Sequence, residues 1–192
     1  MNKLIRASNS PRLKELLAGL DIPFEVRVIA DIDESHPEGV DIYSVPETLA
    51  RRKASAYKND IADDEVILTA DTVVIVDEDI LEKPKYEEEA KEMLRLISGR
   101  SHNVVTGICI GTKDDLNHSH FSVLTEVRFK QLTEEERDYY VRTYKPRDKA
   151  GAYGIQAWIG YIGVTGIDGS FYNVMGLPVQ RIYPELMKVI YT

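Results

Sequence analysis

Apolar positions along this chain fall into short strands alternating with helical stripes. Lys3-Leu4-Ile5 reads as a strand that runs into the polar turn Ala7-Ser8-Asn9-Ser10, and the stripe from Pro11 to Leu20 reads as a helix. Pro11 suits the first helical position, where its missing N–H would have had no partner, and Ser10 suits the N-cap. Asp21-Ile22-Pro23 breaks this helix, and Phe24–Ile29 alternates as a second strand. Residues 30–45 are acidic and irregular; Pro46 then opens a helix to about Asn59, capped by Ser44. Glu65–Val76 is a mostly apolar strand, expected to be buried on both faces and interrupted at Asp71-Thr72. The turn Asp77-Glu78-Asp79 leads to a short strand ending at Lys83-Pro84. Glu87–Ile97 is an amphipathic helix closed by Ser98-Gly99. His102–Lys113 and His118–Gln131 form a long hairpin, and Thr133 with Glu136 makes a capping box for the next helix. A glycine-rich stretch from Gly151 to Gly176 follows. Pro178 opens a last helix with Ile182, Leu186, Val189 and Ile190 on one face. Internal repeats, low-complexity tracts and flexible linkers are absent from the sequence.

Composition narrows the classes. A chain of 192 residues suits one large domain or two small lobes. Its net charge of −8 is spread among interspersed acids and bases, with no basic block for a nucleic-acid surface. An anionic ligand would need a local pocket of Arg and Lys. Cys109 is the single cysteine, so an intramolecular disulfide is excluded, and its apolar surroundings suit a buried structural thiol. The start is too soon charged for a signal peptide, and no apolar run has the length of a membrane span. A cytoplasmic protein with neither nucleic-acid nor membrane partners is expected.

Several residues carry candidate chemistry. The turn Ser8–Ser10 with Arg12 offers backbone N–H groups, two hydroxyls and the positive end of a helix dipole, which suit phosphate; a plain Ser-capped helix explains it too. Asp71 interrupts an apolar strand, where a carboxylate is costly unless paired, metal-bound or exposed at a break. Lys53, Lys83 and Glu34 read alone as solvated surface charges. His118-Ser119-His120 could clamp a metal, but a polar hairpin tip explains it more simply. In Asp148–Gln156, Gly151 and Gly154 allow close backbone approach to a ligand, and Gln156 can both donate and accept, as a base edge requires; a solvated Gln in a glycine turn is the other reading.

Ser8-Asn9-Ser10-Pro11-Arg12, Ala70-Asp71-Thr72-Val73-Val74, Lys83-Pro84, Ser98-Gly99-Arg100-Ser101-His102 and Asp148–Gln156 stand in the order seen in the Maf family. Gly169-Ser170 and Asn173–Pro178 resemble its C-terminal signature, so the resemblance covers nearly all of residues 1–192 as a single domain. It implies an α/β fold related to the inosine triphosphatase architecture: a mixed twisted sheet flanked by helices, in two lobes around a cleft. The activity implied is nucleoside triphosphate pyrophosphatase, a hydrolase of acid anhydrides. The Gly-Ile-Gln stretch resembles the subfamily acting on dTTP and UTP.

Carried over by position, Asp71 resembles the family's proton acceptor, and Arg12, Thr72 and Gln156 its specificity positions. Lys53, Lys83 and Glu34 match polar cleft residues. Under this reading Asp71 and Glu34 hold a divalent cation, Mg²⁺ or Mn²⁺, while Ser8, Ser10, Arg12, Lys53 and Lys83 contact phosphate and Thr72 and Gln156 the pyrimidine. A homodimer is implied by resemblance only, as are roles in nucleotide-pool cleansing and cell-division arrest. The same enzyme class acting on another nucleotide, such as a modified pyrimidine triphosphate, is one alternative; a nucleotide-binding regulator of septum formation with negligible catalysis is the competing class. One departure stands out: Leu13 occupies the place of a second arginine, with Lys14 beside it.

Overall fold

The computed structural model describes residues 1–191; Thr192, which closes the expected domain, lies outside them. The elements are strand β1 (Lys3–Arg6), helix α1 (Pro11–Ala18), β2 (Phe24–Val26), α2 (Val45–Ser55), β3 (Glu65–Val76), β4 (Asp79–Leu81), α3 (Glu87–Ile97), β5 (Ser101–Thr112), β6 (Ser119–Phe129), α4 (Glu134–Tyr144), α5 (Trp158–Gly163), β7 (Val164–Asp168), α6 (Phe171–Val174) and α7 (Val179–Ile190). The strands make a seven-stranded mixed sheet in the order β2-β1-β3-β5-β6-β7, with β4 paired to β3. This is the α/β class expected from the sequence. Among the described residues no helix is long and apolar enough to cross a membrane.

The chain divides into two compact units. The first comprises Met1–Asp71, Thr106–Val123 and the chain from Gly176 onward. Here β1 pairs in parallel with β2 (Leu4 opposite Phe24) and with β3 (Leu4 opposite Val66). Parallel neighbours need a crossover, and α1 and α2 supply the connections. A core of Ile5, Ala50, Ala54, Tyr57, Ile61, Ile67 and Cys109 fills the space between α2 and the sheet. Thr69 at the centre of β3 donates through Oγ1 to the Ala50 carbonyl at 2.6 Å, tying α2 to the strand. Gly107 on β5 lets the start of α2 approach: a Cβ there would fall 2.1 Å from the Glu47 amide nitrogen. Burial pushes the Cys109 thiol up to about 12, and its Sγ donates to the Leu116 carbonyl at 3.3 Å, so this cysteine is the inert core thiol its surroundings suggested.

The second unit comprises Thr72–Val105 and Leu124–Met175. The end of β3 turns through Asp77, at φ 54°, into antiparallel pairing with β4 (Ile75 opposite Ile80). Helix α4 carries the expected capping box: Thr133 Oγ1 accepts from the Glu136 amide at 3.2 Å, and Glu136 Oε2 accepts from the Thr133 amide at 3.0 Å. Arg137, buried on the first turn of α4, donates to the Leu132 carbonyl at 2.8 Å.

Several readings of the pattern differ from the structure. The short strand β4 spans Asp79–Leu81 and stops before Lys83, with Asp79 already in the strand. β2 stops at Val26; the Arg27 amide still donates to the Arg6 carbonyl at 3.1 Å, while its side chain turns to Glu65. α2 stops at Ser55 and residues 56–60 continue as turns; Ser44 makes no side-chain cap, and the Thr48 hydroxyl bonds its carbonyl instead at 3.0 Å. The glycine-rich stretch contains α5, β7 and α6, which its lack of periodicity concealed.

Candidate active site

In the first unit three charged residues meet. β3 is buried along its length except at Ala70, Asp71 and Thr72, which are partly exposed. That break is where the sequence placed its costly carboxylate. Lys53 lies three residues beyond Ala50 on α2, on the side facing β3, since residues three apart share a helix face. Its ammonium donates to Asp71 Oδ1 at 2.7 Å and sits 3.1 Å from Glu34 Oε1. The side chains of Lys53 and Asp71 are only 14% and 15% exposed, so this pair is largely withdrawn from water. Burial works against the charged ammonium, but Asp71 and then Glu34 more than offset it, and the net effect raises the Lys53 pKa. A residue that reads alone as surface solvation is thus the hub of a charge cluster.

Glu34 reaches that hub because its loop is pinned on both sides. Arg52, the neighbour of Lys53, donates through Nη1 to the Asp33 carbonyl (3.2 Å), to Asp33 Oδ2 (3.3 Å) and to the Ser35 carbonyl (2.9 Å). Arg52 is a positioning residue absent from the sequence reading. The run Arg51-Arg52-Lys53 facing the acidic stretch 31–34 was the available signal.

The turn after β1 belongs to the same unit. Ala7 N–H donates to the Leu68 carbonyl at 3.1 Å, so the chain leaves the sheet at Ser8 beside the β3 segment that leads to Asp71. Ser8 Oγ accepts from the Ser10 amide at 3.1 Å, and Ser10 Oγ accepts from the Leu13 amide at 3.5 Å, so Ser10 is the N-cap. Buried Arg6 donates to the Ser10 carbonyl at 2.7 Å and stiffens the turn from beneath; burial lowers its pKa. Arg12 Nε is a buried donor with no hydrogen-bond partner, which marks a place where an acceptor is wanted. Leu13 is half-buried, and the neighbouring Lys14 is exposed.

The second unit holds Thr72, Lys83 and Gln156. Thr72 directly follows Asp71 on β3 and is half-buried. Lys83 is exposed and adjoins Glu82, whose carbonyl accepts from the Gly151 amide at 3.1 Å. That bond fixes the loop 148–156 beside Lys83. Gly151 at φ 68° and Ala152 at φ 59° give this loop its left-handed bend; a Cβ at Gly151 would press on Val74 at 3.0 Å. The Gly154 amide donates to Tyr140 Oη at 3.1 Å, and Tyr153 Oη lies 2.6 Å from His102 Nε2. Burial lowers His102 to about 4 and raises the Tyr153 hydroxyl, so the two form a neutral hydrogen-bonded pair. Gln156 Oε1, in contrast, is buried without a partner.

Metal binding can be tested against the donor set. Asp71 and Glu34 converge on one cationic point, the Lys53 ammonium, and no group of three or more His, Cys, Asp or Glu side chains is placed for a metal among the described residues. Two carboxylates fit a hard cation that completes its shell with water and phosphate oxygens, the habit of Mg²⁺. Of the hairpin histidines, His120 bonds Glu47 through Nδ1 at 2.7 Å.

These features define an α/β protein with an acid–base cluster at a break in its central strand. Residues 3–189 match the family described as Maf-like protein, and the chain belongs to that family. A dTTP/UTP pyrophosphatase of Parabacteroides distasonis is 56% identical over 96% of this chain and 94% of its own length. One of Phocaeicola vulgatus is 52% identical over 97% of this chain and 96% of its own. A solved structure of a nucleoside-triphosphatase / dITP/XTP pyrophosphatase from Mycobacterium abscessus aligns at 17% identity and TM-score 0.39, over 73% of this chain and 94% of that one, too loosely to add to the fold described above.

Proposed function

We propose that the protein hydrolyses dTTP and UTP to the monophosphate and pyrophosphate, as the names of its full-length relatives state for them. The observation that carries the chemistry is the Lys53–Asp71–Glu34 cluster. Water attacks the α-phosphorus, and Asp71 accepts its proton. Lys53 donates to Asp71 Oδ1 at 2.7 Å and so orients the carboxylate that is to take the proton. Arg12 offers its unpartnered Nε to the phosphate chain, with Ser8 and Ser10 at the same turn, and Lys53 and Lys83 add positive charge where the transition state accumulates negative. Thr72 and Gln156 read the pyrimidine.

A divalent cation, Mg²⁺ or Mn²⁺, would be held by Asp71 and Glu34 and supplies charge neutralisation of the triphosphate. The reading extends to a cytoplasmic homodimer. Pyrophosphate release from UTP and dTTP with Mg²⁺, followed in a coupled assay, tests it. Turnover that exceeds the buffer control and favours these two nucleotides is expected. Nucleotide binding without pyrophosphate release would point instead to the regulator of septum formation.

A further inference from the structure

We propose that Lys149 determines base specificity by holding the Gln156 amide in the orientation that accepts uracil and thymine and refuses cytosine. This rests on the reading that Gln156 addresses the base. A glutamine amide has an acceptor at one end, a two-proton donor at the other, and nearly the same shape either way round. Held one way, its N–H₂ meets O4 of uracil or thymine while its carbonyl meets N3–H. Turned over, the same amide meets the N4 amino group and N3 of cytosine equally well. The terminal torsion of glutamine is broad and roughly twofold, so it imposes no choice. Discrimination requires a further group bonded to one end of the amide.

Lys149 stands in the place such a group must occupy. From the point where a Gly154 Cβ would lie, Lys149 Cε is 2.8 Å away, Lys149 Cδ 3.1 Å and Gln156 Oε1 3.4 Å. With no side chain at Gly154, the lysine stem and the amide oxygen share one small space. The oxygen is buried without a partner there. Lys149 is itself mostly buried, 18% exposed, and its ammonium rests on the two oxygens of Asp148 at 3.0 and 3.2 Å. Asp148 is 67% exposed, and a pair with so exposed a carboxylate holds its cation weakly. Rotation about the outer lysine torsions transfers the ammonium from Asp148 to Gln156 Oε1. It then occupies one lone pair of the carbonyl and leaves the other for N3–H. The inverted amide would set N–H₂ against the ammonium, donor against donor, and is excluded. The backbone keeps the geometry: Ala152 N–H donates to the Lys149 carbonyl at 3.1 Å, and Gly154 N–H to Tyr140 Oη at 3.1 Å.

The test is the ratio of kcat/KM for UTP to that for CTP, with thermal melting to verify folding. Lys149→Met keeps the apolar stem over Gly154 and removes the donor. It is expected to lower the ratio about fivefold or more, by a coupling of ordinary size between contacting groups. Lys149→Arg should restore the ratio, and Lys149→Met should change it no further in a Gln156→Ala background. Asp148→Asn, which leaves the buried stem untouched, should keep or raise the ratio; a fall overturns the proposal, as does an unchanged ratio in Lys149→Met or an equal change in both backgrounds. If Gln156→Ala lowers the ratio and Lys149→Met does not, this proposal alone fails. If Gln156→Ala leaves the ratio at the parent value, the base-reading role of Gln156 fails and this proposal with it.

Discussion

Strand β3 carries two carboxylates, Glu65 at its first position and Asp71 at its seventh, and the cell of partners around each is different. Glu65 faces Arg27 fork to fork, both contacts at 2.8 Å, and its Oε2 also accepts from the Ala62 amide at 2.9 Å. Arg27 reaches on to the Asp60 carbonyl at 3.0 Å and to Glu25 at 3.2 Å. Both carboxylate oxygens and both terminal guanidinium nitrogens are engaged, and the planar guanidinium fixes the geometry. Asp71 instead faces an ammonium, a point charge without directional preference, which it shares with Glu34. Arg27 holds the Glu65 carboxyl down at about 2, committing it to be an anion. A carboxylate that must gain and lose a proton cannot be held that way. Arginine locks the Glu65 carboxylate, and lysine, on a flexible stem, meets Asp71, the proton acceptor proposed above.

Asp71→Asn separates the two roles most sharply. The amide keeps the shape and can still accept from Lys53, but it cannot take a proton from water. Hydrolysis of UTP should fall by on the order of 10²–10⁴, the usual loss for a general base, while the melting temperature stays close to the parent's. Activity within a few-fold of the parent would remove Asp71 from that role.

Glu65→Gln should do the reverse. Breaking a buried pair by removing one partner is destabilising, and here leaves Arg27 facing a neutral amide, with Glu25 and Asp60 as its remaining acidic partners. A depressed carboxyl contributes stability that is fully present above its unfolded value near 4.5 and is lost as pH falls through its folded value of about 2. Urea titrations should therefore show the variant less stable by about 3 kcal/mol at neutral pH, with the gap closing as pH falls from 4.5 towards 2. At 25 °C its kcat should match the parent's. A gap independent of pH would mean the pair is not what depresses the Glu65 carboxyl.

This contrast was only half legible in the sequence. The break at Asp71 could be found, because a carboxylate in an apolar run is conspicuous, and the bounds of β3 and α3 followed from a continuous apolar run and an amphipathic stripe respectively. Ser10, Thr133 and Glu136 could be placed as caps because capping is local in sequence. Lys53 and Glu34 could not be joined from spacing, since their meeting depends on a loop whose shape is set by Arg52 across it. Nor could the Arg27–Glu65 pair, whose members lie 38 residues apart. In the glycine-rich stretch, α5 and β7 escaped because Gly160, Gly163 and Gly166 erase the periodicity that marks an element. There the helix and strand exist through tertiary contacts: a Cβ at Gly163 would lie 2.9 Å from the Phe129 ring.

Among the neutral groups of the second unit some have partners and one does not, and Gln156→Glu tests that difference with the smallest effect. In the second unit the hydroxyls of Tyr140 and Tyr153 are engaged by Gly154 N–H and by His102, whereas Gln156 Oε1 is left without a partner. If that amide is the open group, its N–H₂ meets O4 of the pyrimidine. An ionised glutamate can only accept, so it loses that bond and sets negative charge against O4, while the N4 amino group of cytosine finds an acceptor it lacked. A site that bonds its substrate discriminates strongly once a partner is left unpaired. The ratio of kcat/KM for UTP to that for CTP should fall roughly tenfold, equivalent to about 1.4 kcal/mol. Both values falling equally would make Gln156 a support of the loop and not a reader of the base. Neither value changing would place it outside the site, and the open carbonyl would then be a local feature of a glycine turn with no bearing on which nucleotide is chosen.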